Sequence, residues 1–155
     1  MPGPSHTIRE HLSVTASGYT NFPTNSKNTQ LVNFNEGQLD LVRGDRSQNA
    51  FVPIGLHFHT PSEHTFYGEH FDLELHIVHK YKEDGKLGAV LGIMFEQSEE
   101  DNQLIDSLLY AMEGGNVDLG LFISKLDYAS FYSYDGSLTT PPCTEGIKWT
   151  LLADV

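Results

Sequence analysis

His57-x-His59 and Glu74-x-His76 are the residues of this chain whose types and spacing suit metal chemistry. On a β-strand, side chains two apart point to the same face. His57 and His59 would then share a face of one strand, and Glu74, His76 and Val78 a face of another. If those strands are neighbours, three imidazoles converge. Three histidines with an open fourth position are the donor set of a catalytic zinc site rather than a closed structural one. Neutral imidazole also suits copper, iron and nickel, so the ligands alone leave the metal open. A ligating histidine needs its second ring nitrogen held, and Glu74 is placed to hold that of His76. A lone HxH pair on a surface strand is more often two solvated side chains; the second strand, with matching parity, tips the balance towards metal. His64, His70 and His79 break the parity or fall in loops, and are expected to be hydrogen-bonded structural histidines. His6 and His11, in the weakly patterned N-terminus, are expected to be exposed.

The elements that must carry these residues follow from periodicity and turn chemistry. Residues 1–30 are rich in Pro, Gly, Ser, Thr and Asn and read as loop, with one short strand near His11–Ala16. Leu31–Phe34 and Gln38–Val42 read as a hairpin about Asn35-Glu36-Gly37, closed by Arg43-Gly44-Asp45, a triplet expected simply to turn the chain. Phe51–His59, Asp72–Tyr81 and the nearly all-apolar Leu87–Phe95 are three strands of a central sheet, with a tight turn at Asp84-Gly85. Ser98–Met112 is the one clear helix. Ser98 with Asp101 resembles a capping box, Glu99 and Glu100 complement the dipole, and Leu104, Ile105, Leu108, Leu109 and Met112 form an apolar stripe. Gly114-Gly115 should stop it. Phe131–Tyr134 is a strand leading to a turn at Asp135-Gly136, and Ile147–Leu152 is the last strand. The expected fold is mainly β (α+β): a central twisted, largely antiparallel sheet with one helix, in a single domain spanning residues 1–155.

Composition narrows the function classes. A chain of 155 residues with 39% hydrophobic and 19% charged residues is an ordinary globular domain. Its formal net charge of -12 argues against nucleic acid or an anionic membrane surface as partner. No apolar run reaches the length of a membrane span. The N-terminus has no signal-like apolar run; that is compatible with the cytoplasm as the chain stands and with an extracellular place if the N-terminus is incomplete, so no compartment is assigned. Cys143 is the single cysteine, so an internal disulfide and a cysteine-based zinc site are both ruled out.

The blocks HFH, SEH and ELHIVH, followed far downstream by GSLTTPPCTEGIKW, resemble the α-class carbonic anhydrase family from about Leu31 to Leu152. The resemblance implies zinc on His57, His59 and His76, with Glu74 behind His76. It implies reversible hydration of CO2: zinc lowers the pKa of its bound water, and the hydroxide attacks CO2 to give bicarbonate. Thr139 matches the threonine that accepts a hydrogen bond from the hydroxide, and Glu63 the carboxylate that accepts from that threonine. Thr140 matches a residue lining the bicarbonate site. Val78, Val90, Leu138, Ile147 and Trp149 match the apolar wall where uncharged CO2 waits. Sulfonamides and small anions are the inhibitors implied.

The departures from the family are equally specific. Gly55 stands where the family has a glutamine holding the first zinc histidine, and Asn28 aligns with the proton-shuttle histidine. The family's N-terminal aromatic segment and its C-terminal strands have no counterpart, so the domain is expected to be incomplete at both ends. Bare sheet edges would then favour self-association. Cys143 sits where secreted members have half of a disulfide. An alternative function is a zinc-binding or protein-interaction module with little or no turnover. A cupin is a distant third: His57, His59, Glu63 and Gly68 fit its first metal motif, but no histidine follows His79 and the TTPP block has no place in it.

Overall fold

The computed structural model describes the backbone of residues 11–15, 19–21, 38–42, 48–112, 116–118, 123 and 125–153, with side chains for 49–110, 123 and 125–153. In chain order the elements are β1 (His11–Thr15), β2 (Tyr19–Asn21), β3 (Gln38–Val42), β4 (Gln48–His59), β5 (Thr65–Phe66), β6 (Glu69–His70), β7 (Leu73–Tyr81) and β8 (Leu87–Phe95), then α1 (Gln103–Met112), β9 (Asn116–Asp118), β10 (Phe131–Ser137) and β11 (Glu145–Leu152). Seven strands form one sheet in the order β1-β3-β4-β7-β8-β11-β10, while β2–β9 and β5–β6 make two small two-stranded sheets. Within the large sheet only β8 and β11 run parallel; every other neighbouring pair is antiparallel.

The expected mainly-β fold is therefore present, with its three central strands where periodicity put them. β8 is buried along nearly its whole length on both faces, as its continuous apolar sequence requires. Period-two alternation sorts the side chains of β7 into two layers. Leu75, Ile77 and His79 face a core shared with Leu91, Leu104 and Leu108 of β8 and α1. Glu74, His76 and Val78 point the opposite way, towards a second apolar cluster built on Val90, Met94, Ile147 and Trp149. One face thus anchors the helix and the other builds the site.

Three local expectations are corrected. The helix begins at Gln103, not Ser98, because Asn102 is the cap: its Oδ1 accepts from the N–H of Leu104 at 3.0 Å and of Ile105 at 3.4 Å. Ser98 instead closes a local turn, accepting from the N–H of Glu100 at 3.1 Å, so Glu99, Glu100 and Asp101 precede the helix. Leu109 is not on the buried stripe; it is 52% exposed, while Leu104 and Leu108, one turn apart, are buried. Asp135-Gly136 is no turn: both residues lie within β10, which carries a bulge at Gly136/Ser137 and stays paired with β11. A Cβ on Gly136 would stand 2.8 Å from Tyr134 and 3.2 Å from Trp149, so the glycine makes room for those rings. The Asp84-Gly85 turn between β7 and β8 is present, closed by the N–H of Gly85 to the carbonyl of Tyr81 at 3.0 Å. The Leu31–Phe34 strand, Arg43-Gly44-Asp45 and Asn28 lie outside the described residues. Among the described residues no helix is long and apolar enough to cross a membrane.

His79 is fully buried on the helix side of the sheet, and its Nδ1 has no hydrogen-bond partner. Burial pushes its pKa down from 6.5 to about 4, with a backbone interaction at Ile77 acting weakly the other way. The ring is neutral in the folded state, while the unfolded chain takes up a proton below pH 6.5. Its contribution is therefore complete above pH 6.5 and is lost as pH falls towards 4. That loss amounts to up to about 1.4 kcal/mol per pH unit. Denaturant titrations between pH 7 and 4 should show His79→Leu with a shallower loss of stability than the parent; equal slopes would refute the assignment.

Candidate metal centre

The site is built on the register of β4 with β7. His57 lies directly opposite His76, and His59 opposite Glu74. Because cross-strand partners share a face, the two period-two pairs identified in the sequence meet as one cluster. The ring centroids are 4.9 Å apart for His57 and His59, 5.1 Å for His57 and His76, and 4.6 Å for His59 and His76. One nitrogen from each of the three lies within 4.8 Å of those of the others.

Glu74 organises what lies behind the cluster. Its side chain is fully buried and four donors surround it. Oε2 accepts from the backbone N–H of Glu63 at 2.8 Å and of His64 at 2.9 Å. Oε1 lies 2.6 Å from His64 Nδ1 and 2.6 Å from His76 Nε2. Burial alone would push the Glu74 carboxyl up; the hydrogen bonds from both rings and from the His64 backbone outweigh it and hold the group well below the usual carboxylate range. An ionised carboxylate only accepts, so both ring nitrogens that face it carry hydrogen. His76 is left with Nδ1 free to bind a metal. His64 is left with Nε2 as an acceptor, and the Tyr134 hydroxyl donates to it at 2.6 Å. Burial, with Glu74 and Glu63 nearby, raises the Tyr134 hydroxyl to about 12, so it stays a donor.

His64 is thus the supporting residue that period-two reasoning passes over. As expected it is a hydrogen-bonded histidine, but it backs the carboxylate that orients His76. Gly92 is another: it pairs with His76 across β7 and β8, and a Cβ there would come within 2.5 Å of Leu151 and 3.3 Å of Glu74 Oε1. A second trio, His64, Glu74 and His76, also has its atoms close together. Those atoms already share protons at 2.6 Å, shorter than ligands spread around a metal. Of the remaining histidines, His70 is exposed and its Nδ1 is bonded to the carbonyl of Ser62 at 2.6 Å.

The first trio fits a metal. His59 Nε2 is buried with no hydrogen-bond partner, an arrangement that leaves a lone pair unsatisfied unless an ion takes it. Burial, then the positive charge that His76 and His59 would carry, pushes the His57 pKa down to about 4. Burial and His76 lower that of His59 as well. Unprotonated imidazoles are what a divalent ion requires. The ring of His57 has no hydrogen-bond partner among the described residues.

The other nominated residues lie around this cluster as follows. Val78, Val90, Leu138, Ile147 and Trp149 belong to one apolar cluster. Trp149 also touches His76, with centroids 4.8 Å apart, and its indole N–H donates to the carbonyl of Ser137 at 2.9 Å. Thr139 and Thr140 are exposed in the loop between β10 and β11, which is tied by Leu138 N–H to the Thr144 carbonyl at 2.9 Å and by Cys143 N–H to the Thr140 carbonyl at 2.9 Å. No hydrogen bond joins Thr139 to Glu63 among the described residues. Glu63 lies instead beside His59, with Oε1 3.4 Å from Nδ1. Cys143 is exposed and unpaired.

Comparison with known proteins gives the same picture. The chain is 38% identical over 110 residues to alpha carbonic anhydrase 6 of Arabidopsis thaliana, covering 67% of this chain and 41% of that protein. It is 35% identical over 143 residues to dioscorin dioA3 of Dioscorea japonica, covering 84% and 49%. It thus spans between two fifths and half of the length of these relatives. The alpha-carbonic anhydrase of Thermovibrio ammonificans, solved in complex with the inhibitor sulfanilamide, superposes with a TM-score of 0.73 at 28% identity, over 97% of this chain and 66% of that one. The sequence model described as eukaryotic-type carbonic anhydrase matches residues 7–155. A cupin is thereby set aside, and with cluster, sheet and sequence agreeing, the chain belongs to the eukaryotic-type carbonic anhydrase family.

Proposed function

We propose that this chain holds zinc through His57, His59 and His76 and catalyses the reversible hydration of CO2 to bicarbonate and a proton. The observation that carries this reading is the juxtaposition of three imidazoles, one with a buried unpartnered nitrogen, and an apolar cluster that touches His76 through Trp149. Zinc bound there supplies the Lewis acidity that makes water nucleophilic near neutral pH.

The chain's own residues do the rest. Val78, Val90, Leu138, Ile147 and Trp149 offer uncharged CO2 a dry surface, where water gains no hydrogen bonds by displacing it. The Thr139 hydroxyl accepts from the attacking oxygen and turns its lone pair towards carbon. Glu63, with one carboxylate oxygen free of His59, accepts a hydrogen bond from the Thr139 hydroxyl and so fixes the direction of that hydroxyl. Thr140 lines the place where bicarbonate forms. In the reaction one C–O bond forms, a carbonyl electron pair moves onto oxygen, and the proton lost by water passes to buffer. Nothing is oxidised. Sulfonamides, by analogy with the Thermovibrio relative, should compete at this site.

Stopped-flow CO2 hydration of the zinc-loaded protein, with and without chelator, is the direct test. Turnover that chelator abolishes and a sulfonamide inhibits is expected. Thr139→Ala should keep its zinc and lose rate by about 10²-fold, the effect of removing one oriented hydrogen-bonding group from the reacting atoms. Bound zinc with no sulfonamide-sensitive turnover would favour the other reading, a binding module of the family that does not turn over.

A further inference from the structure

We propose that Glu63 is a positioning residue for the metal centre: its carboxylate holds Nδ1 of His59 and so aims the buried Nε2 of that ring at the metal. The inference rests on the zinc-site reading above. It adds to Glu63 a role that acts on a ligand rather than on the attacking oxygen.

Neutral imidazole has one N–H and one lone pair, so a ring that gives Nε2 to a metal must carry hydrogen on Nδ1 and needs an acceptor there. For His76 the acceptor is Glu74, with the nitrogens exchanged. For His59, the Glu63 carboxylate lies across the turn at 3.4 Å, and no other acceptor meets Nδ1 among the described residues. That distance is long for a hydrogen bond. Loading the opposite nitrogen would make Nδ1–H a stronger donor and so favour a closer approach of the carboxylate.

The backbone under Glu63 is well fixed. Its own N–H is held by buried Glu74 at 2.8 Å. The preceding residue is stitched to Phe71 twice: Ser62 N–H to the Phe71 carbonyl at 2.9 Å, and Phe71 N–H to Ser62 Oγ at 2.9 Å. The carboxylate therefore swings from a fixed point. Its side chain is 30% exposed, against 0% for Glu74. The three ligands are consequently held unequally: His76 by a buried carboxylate at 2.6 Å, His59 by a half-open one, and His57 by no side chain among the described residues. Glu74 unites two of these arms, since it bonds one ligand directly and pins the peptide from which the other ligand's carboxylate extends.

The test separates Glu63 from Thr139. Zinc affinity is measured by chelator competition on the wild type, Glu63→Gln, Glu63→Asp and Thr139→Ala, and visible spectra are recorded after cobalt(II) substitution. Glu63→Gln should weaken zinc binding by about 10-fold and shift the cobalt bands, and Glu63→Asp, which withdraws the carboxylate by one methylene, should move both the same way. Thr139→Ala should leave affinity and spectrum as in the wild type. Glu63 variants with wild-type affinity and an unchanged cobalt spectrum would overturn the inference while leaving the zinc site intact. So would Thr139→Ala weakening zinc as much as Glu63→Gln does, since Glu63 would then act through Thr139. A wild type that binds no zinc would overturn the zinc reading and this inference together. Melting of the metal-free variants establishes that each is folded.

Discussion

His76→Ala should reduce zinc content from stoichiometric to undetectable after dialysis. The ring is 1% exposed, lies opposite His57 in the β4–β7 register and packs against His59 and Trp149. Removing it takes away the ligand whose orientation is best fixed, and the remaining two sit on a single strand. The same change removes one of the two ring donors to Glu74 Oε1 and leaves a hole beside Trp149. A lost hydrogen bond to a charged acceptor and the cavity together should cost about 2–4 kcal/mol. Elemental analysis and denaturant unfolding read the two losses separately. A folded variant that keeps stoichiometric zinc would rule out the ligand set.

Glu74→Gln, a change of near-constant volume, should be strongly destabilising. The carboxylate faces four donors, two backbone N–H groups on one oxygen and two ring nitrogens on the other. An amide offers one oxygen and one NH2, so whichever way it turns, donors meet donors in a buried place. Breaking a buried charged network of this kind costs roughly 3–5 kcal/mol, and at this chain length a melting temperature lower by roughly 10 °C. The pH dependence has a defined sign. The folded carboxyl titrates below its ordinary value of 4.5, so its contribution is complete above that pH and declines as pH falls below it. The difference between wild type and Glu74→Gln should be full at pH 7 and shrink on acidification below 4.5. A difference that does not change with pH would mean that the charge of Glu74 contributes nothing.

Much of this centre is legible in the sequence, for a definite reason. Period two survives in the order of residues, so the shared faces of His57 with His59 and of Glu74 with His76 can be read directly. The wall residues follow from family resemblance, and four of the five lie on β7, β8 and β11, strands that are neighbours in the sheet. What sequence pattern does not carry is everything set by partners distant along the chain. His64 sits between β4 and β5, where no period applies, so nothing local points to Tyr134 or to Glu74. Ser98 and Asn102 are both good caps, and only the backbone donors of Leu104 and Ile105 decide between them. Asp135-Gly136 has the form of a hairpin turn. The glycine is there for the rings of Tyr134 and Trp149 instead.

The parallel pairing of β8 with β11 has a consequence for how the centre comes together in time. The three clustered histidines and Glu74 fall between residues 57 and 76, on antiparallel neighbours joined by residues 60–72. Trp149 arrives only after the chain has passed through α1 and returned to lie beside β8, bringing with it the loop that carries Thr139. Closing that long excursion costs more entropy, and pairings between distant segments form slowly. The imidazoles can therefore gather while the apolar cluster is still missing; on the function proposed above, a refolding chain would hold its ion before it has a place for CO2.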